Sequence, residues 1–234
     1  MKTITFLIII FLSFNTNTVG EEFPCNKKYD RYFRKYSKRF FGKSFDWRWF
    51  KAQAIVESNL RPRSKSTQRA KGIMQLVPST LREVGRNYPK LRSCIYCPKW
   101  NIAAGIAYNR HLWKKWKKIS FFHNRLRFTF ASYNAGYSTI RQAQKICKQK
   151  NLDVEQWTSI EEVASLVKGW NHQQTLAYIK DIYNIHKNFT RKGCINTAKN
   201  DSCKENEMLV CNQTMSLILL LCEKRGRGYK PIEL

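Results

Sequence analysis

Apolar residues recur at spacings of three and four along most of the chain between residues 29 and 189, and long alternating runs are missing from the sequence. That period places apolar side chains on one side of a helix, so the pattern predicts a mainly α fold. Tyr29, Tyr32, Phe33, Tyr36, Phe40 and Phe41 mark a helix within 21–42. A second runs from Asp46 to Asn59, with Phe50, Ala54 and Glu57 on one face, and Arg61-Pro62 stops it. Residues 63–71 are polar and read as a loop or a short β-hairpin. Pro78-Ser79-Thr80 opens a short helix ending near Gly85. Further helical patterns cover 101–116, 125–133, 137–150, 161–168 and 173–189. Asn134-Ala135-Gly136 cuts the chain between two of them, as a left-handed residue after a helix does.

The ends break this pattern. Lys2, the apolar run Ile4–Leu12 and the small residues near Gly20 have the layout of a cleaved signal peptide. The run is well short of the ~20 residues a spanning helix needs. After residue 190 the chain turns polar and Cys-rich, with Cys194, Cys203, Cys211 and Cys222. The division expected is therefore a signal at 1–20, a basic aromatic extension at 21–43, a helical domain at 44–190 and a Cys-rich tail at 191–234. Eight cysteines, all beyond the signal, suit disulfides in an oxidising compartment. Cys94-Ile95-Tyr96-Cys97 stands alone, without a second pair or histidines at ligand spacing, so a disulfide is favoured over zinc. No metal or cofactor is expected.

Composition adds a partner class. The chain of 234 residues has 43 Lys and Arg against 16 Asp and Glu, a net charge of +27. Such a surface attracts polyanions: nucleic acid, an anionic membrane or an acidic wall polymer. An export signal and a disulfide-rich tail speak against nucleic acid.

The scarcity of acids singles out one side chain. From Trp47 to Leu152 the only carboxylates are Glu57 and Glu83. Glu57 ends an apolar helical run, where burial disfavours the charged form and makes a proton donor near neutral pH. Glu83 lies in a polar helix and reads as a solvated surface residue.

Glu57-Ser58, Ser66, Gly72-Ile73-Met74-Gln75, Tyr133-Asn134-Ala135-Gly136 and Tyr178 stand in an order and spacing that resemble the soluble-type lytic transglycosylases of the lysozyme-like superfamily. Pro98, Asn101 and Gly105 resemble the family's third helical segment. The resemblance spans about residues 44–189. It implies a lysozyme-like helical domain with a small hairpin or loop region, and a cut at the β-1,4 bond between N-acetylmuramic acid and N-acetylglucosamine in peptidoglycan. It implies that Glu57 is the single catalytic acid and base. Ser66, Met74, Gln75, Tyr133, Asn134 and Tyr178 would bind substrate or line the cleft, with Val77 nearby and Tyr178 also holding Glu57. One departure is visible: Gln174 stands where the family usually has a glutamate.

Most glycosidases use two carboxylates. In the family's scheme the substrate replaces the second: its N-acetyl group stabilises the cation and its C6 hydroxyl attacks, leaving 1,6-anhydro ends. The expectation is an exported enzyme of the periplasm or envelope, monomeric, acting on peptidoglycan strands. The same chemistry serves wall remodelling, a secretion or conjugation apparatus, or phage-related lysis. A lysozyme-type hydrolase and a non-catalytic cationic envelope-binding protein are the alternatives.

Overall fold

The structure, a computed structural model, describes residues 27–191. The expected signal peptide, Cys25 and the Cys-rich tail lie outside them. Eight α-helices follow in chain order: α1 (Asp30–Phe41), α2 (Arg48–Ser58), α3 (Pro78–Asn87), α4 (Pro98–Lys115), α5 (Phe122–Ala135), α6 (Tyr137–Gln149), α7 (Trp157–Val163) and α8 (His172–Arg191). Among the described residues none of these is long and apolar enough to cross a membrane.

The helices α4 and α5 form the centre. Ile102, Ala103, Ala104, Gly105, Ile106 and Ala107 are buried in succession, so α4 is enclosed all round rather than on one stripe. The α5 run Phe128–Ser132 is buried in the same way. Around this pair, α1 packs on α4, α2 lies along α8, and α6 and α7 close over α5. Proline opens α3 and α4, where its missing N–H has no helical partner to lose.

α1 is no loose extension. Phe33 and Tyr36 enter the core, and Lys51 Nζ on α2 reaches Asp30 Oδ1 at 2.6 Å. A second clasp joins α8 to the start of α2: His186 lies flat on Trp49, with ring centres 3.5 Å apart, and its Nε2 is 2.8 Å from Asp46 Oδ2. Burial alone would raise the Asp46 carboxyl, but bonds from His186 and Arg48 prevail and hold it well below the usual range.

Several elements refine or differ from expectation. Of the two forms expected for 63–71, the loop is the one adopted, and it carries isolated antiparallel bridges from Lys65 to Lys71 and Lys71 to Leu76. The predicted helix at 161–168 lies earlier, as α7 followed by a 3-10 turn at Ala164–Leu166, because Trp157, Ile160 and Val163 make the buried face. Cys94 and Cys97 are bonded to each other. Cys147, expected to join a disulfide, is a free thiol: α6 buries it completely against α7, where Sγ donates to the Ser159 carbonyl at 3.2 Å.

Candidate active site

Glu57 lies in the last turn of α2, and left-handed Asn59 and Leu60 follow it, with φ of 50° and 59°. Two such residues in succession turn the chain sharply away, and non-glycine residues in this region carry backbone strain of the kind found at functional sites. The helix therefore ends before Arg61-Pro62, and Glu57 sits at its mouth, half-buried.

One oxygen of the carboxyl is occupied: Tyr178 on α8 donates its hydroxyl to Glu57 Oε1 at 2.6 Å. Burial pushes the Glu57 carboxyl from 4.5 up to about 8, and the Tyr178 bond pulls the other way. A group with that value is protonated at neutral pH and still able to release its proton. The Tyr178 hydroxyl is driven well above 10.0 by burial and by its acidic neighbour, so it stays a donor. Tyr133 on α5 is raised in the same way, Glu57 again contributing.

Three other acids are engaged elsewhere. Glu83 faces His111, with Oε1 2.8 Å from Nε2, on an exposed surface of α3 and α4. Asp30 and Asp46 serve the two clasps. Among the described residues no group of His, Cys, Asp and Glu is arranged to hold a metal ion.

The loop 71–76 forms the facing edge. Lys71 and Leu76 exchange backbone bonds of 3.0 Å, closing it. Three helices then grip it. Ser58 Oγ on α2 donates to the Ile73 carbonyl at 2.8 Å, Tyr133 Oη on α5 to the Met74 carbonyl at 2.7 Å, and Asn101 Oδ1 on α4 accepts from Met74 N–H at 2.7 Å. The Asn101 amide also donates to the carbonyls of Lys71 and Ile95, joining this loop to the Cys94–Cys97 loop. Gly72, at φ 79°, makes room for Asn101: a Cβ there would collide with the amide. Gln75 holds φ of 45° while its Nε2 donates to the Gly72 carbonyl at 2.8 Å.

The sequence-predicted residues fall into distinct places. Glu57 and Tyr178 are in direct contact, and Tyr133 joins them through its electrostatic coupling. Gln75 is half-buried on the loop. Met74 lies wholly in the core under Gly105, a position that leaves its side chain no open face toward a ligand. Ser66 Oγ caps its own turn, accepting from Ala70 N–H at 3.1 Å. Asn134 is exposed at the end of α5 and its Oδ1 accepts from Thr175 Oγ1 at 2.9 Å. Gln174 is exposed too, and its Oε1 accepts from Asn171 at 3.0 Å, so α8 presents buried Thr175 toward Asn134 and turns Gln174 away.

Sequence reasoning missed Gln53. It is fully buried and its Nε2 donates to Tyr178 Oη at 3.0 Å. Its Oε1 accepts from Asn109 Nδ2 at 2.7 Å. A signal existed: Gln53 precedes Glu57 by four, on the same helical face.

A small helical domain with a half-buried glutamate at the end of a helix, beside a clamped loop, is the layout of the lysozyme-like class. The solved structures agree. The 70 kDa soluble lytic transglycosylase of Escherichia coli matches 70% of this chain and 25% of its own length, with a TM-score of 0.54 and 20% identity. The Slt lytic transglycosylase of Pseudomonas aeruginosa, an inactive E503Q mutant by its description, matches with a TM-score of 0.54 and 19% identity over 71% of this chain and 24% of its own. At such identities the likeness is one of fold. The family model of the transglycosylase SLT domain matches residues 32–155, more than half of the chain, and the chain belongs to that family. It is 34% identical over 134 residues to membrane-bound lytic murein transglycosylase F of Desulfosudis oleivorans, covering 57% of this chain and 28% of that protein. The Vibrio cholerae protein of the same name is 31% identical over 130 residues, 56% of this chain and 22% of its own. The chain thus spans about a quarter of the length of these relatives.

Proposed function

We propose that this chain is an exported peptidoglycan lytic transglycosylase that cleaves the β-1,4 bond from N-acetylmuramic acid to N-acetylglucosamine. The observation that carries the reading is Glu57 itself: a desolvated carboxyl, raised to about 8, with a tyrosine hydroxyl as its bonded partner, while Asp30, Asp46 and Glu83 are paired at other contacts. A single acid that is protonated at rest suits a reaction in which one group gives a proton and later takes one back.

The steps balance without water. Glu57 gives its proton to the glycosidic oxygen as the bond to the muramoyl C1 breaks. The substrate's N-acetyl group stabilises the developing cation. The C6 hydroxyl then bonds to C1, and the Glu57 carboxylate takes its proton, restoring the acid. Gln75 and Ser66, on the loop side, and Tyr133 and Asn134, at the end of α5, are proposed to line the path of the glycan. Met74 is proposed to shape that wall from beneath. The catalytic unit is proposed to occupy 44–190 with α1 packed on it, preceded by a signal at 1–20 and followed by a Cys-rich module at 191–234. It would act as a monomer in the periplasm or envelope, alone or with a secretion, conjugation or phage-related apparatus.

Digestion of purified peptidoglycan tests this. Mass spectrometry is expected to find 1,6-anhydro muropeptides, lighter by one water than the reducing products of a hydrolase. Reducing ends would make the protein a lysozyme-type hydrolase. Binding without any cleavage would make it a non-catalytic envelope-binding protein.

A further inference from the structure

The bond from Tyr178 to Glu57 has a direction, and that direction is set from outside the pair. A tyrosine hydroxyl has one proton to give, and it can also accept. Left alone, it could equally accept from a protonated Glu57. The chain of bonds behind it removes this freedom. The Gly105 carbonyl on α4 can only accept, and Asn109 Nδ2 donates to it at 3.1 Å. The same amide nitrogen donates to Gln53 Oε1 at 2.7 Å, so the Gln53 amide is fixed with its NH2 toward Tyr178. Gln53 Nε2 then fills an acceptor site on the Tyr178 oxygen at 3.0 Å, and the hydroxyl proton points to Glu57 Oε1. Turning either amide over would set oxygen against oxygen or NH2 against NH2.

We propose that Gln53, oriented by Asn109, is a positioning residue that makes Tyr178 a one-way donor to Glu57 Oε1 and so places the transferable proton of Glu57 on Oε2. The inference rests on the reading of Glu57 as the general acid. With Oε1 taken, the proton can reside only on the oxygen left for the glycosidic bond. Once that proton has left, the Tyr178 bond becomes charge-assisted and strengthens, favouring the carboxylate that must next act as base. The arrangement also explains an otherwise wasteful feature. Asn109 is wholly buried and its Oδ1 has no partner, so this side chain bears a desolvation cost that its two donated bonds must offset. A buried polar group with an unmet acceptor calls for a role beyond packing.

Gln53→Met keeps the volume and removes the donor. The Tyr178 hydroxyl is then free to accept from neutral Glu57, which favours the protonated form. Turnover is expected to fall about tenfold with KM nearly unchanged, since the proton spends time on the wrong oxygen. The Glu57 titration, read by carbon-13 NMR of the side-chain carboxyl without substrate, is expected to move upward. Gln53→Glu should move it further, because an ionised carboxylate there draws the Tyr178 proton to itself. Asn109→Leu should repeat the effect of Gln53→Met more weakly, and the double variant should be no worse than Gln53→Met, because Asn109 acts through Gln53. Wild-type turnover in Gln53→Met, additive losses in the double variant, or activity falling with melting temperature while the Glu57 titration stays put would each overturn the proposal. The titration needs no substrate. A wild-type protein that releases no anhydro muropeptides therefore refutes the functional reading, while the NMR series still decides the role of Gln53.

Discussion

Glu57 links stability and activity through a single proton. Its folded value, about 8, lies above its ordinary 4.5. Between these two values the folded protein holds a proton that the unfolded chain has released, so this residue makes stability fall as pH rises. Glu57→Gln removes that burden. The variant should lose cleavage at least about 100-fold, the contribution of a general acid. It should melt higher than the wild type at pH 7, reflecting a stability gain of up to about 3 kcal/mol, and the two melting curves should converge near pH 4. An equal melting temperature at both pH values would show that the carboxyl is not desolvated. The pH profile of cleavage follows the same sign: activity should decline as pH climbs through about 8, where the donor is lost. Tyr178→Phe removes the bond that holds the value down, so its basic limb should move to higher pH with reduced turnover. The sequence pointed to Glu57 because acids are rare in its surroundings and to Tyr178 through family resemblance. It hid Gln53, because a glutamine on a helix is usually a solvated residue and only the packed structure reveals full burial.

The element that depends most on long-range contacts is the loop 71–76, and it was the least legible. Helix periodicity located most of the helices to within a few residues, since each buries a face against α4 or α5. The loop has no such period. Its shape comes from Ser58, Asn101 and Tyr133, which reach it from three helices, and from positive φ at Gly72 and Gln75. Those partners are far apart in sequence, so the loop-or-hairpin alternative stayed open until they came together. Asn101 carries the heaviest share, with three bonds into two loops. Asn101→Ala should destabilise the protein by about 2–4 kcal/mol, since it strands buried backbone groups. Calorimetry would show this as a lowered melting temperature, and cleavage should drop with it as the Gln75 edge loosens. Gly105→Ala probes the same region from below: its Cβ would lie 2.7 Å from the Met74 side chain. Overpacking of about 1–3 kcal/mol is the expected result.

At the scale of the whole molecule, charge and proton chemistry have different sources. The site draws its proton chemistry from burial and one hydroxyl, and its neighbours there are aromatic or amide. The net charge of +27 is a separate resource; part of it lies on the outer side of α1, where Arg31, Arg34, Lys35 and Lys38 are exposed. Salt screens such surface charge within about 8–10 Å at ordinary ionic strength. Raising salt should therefore weaken co-sedimentation with wall sacculi while turnover on small soluble glycan fragments changes little. A parallel loss of both would place part of the charge in the site itself. Net charge was plain in the composition; which α1 cations face outward was not, because that is settled only when Phe33 and Tyr36 pack into the core.

The buried thiol of Cys147 sets a condition on the order of events during folding. In the mature helix pair the sulfur is sealed between α6 and α7, but in the unfolded chain it is one of eight exposed thiols. Any oxidant present at that stage can join it to a wrong partner, and a chain so bridged cannot close α6 on α7. Thiol oxidation starts within seconds, and the sulfur is sealed only once α6 has docked on α7, a step slower than local helix formation, so correct folding relies on that docking coming first. Cys147→Ala should therefore raise the yield of native protein from oxidative refolding, and lessen the benefit of a reducing interval before the oxidant is added. An unchanged yield would mean that α6 and α7 shield the thiol early enough for the race never to matter.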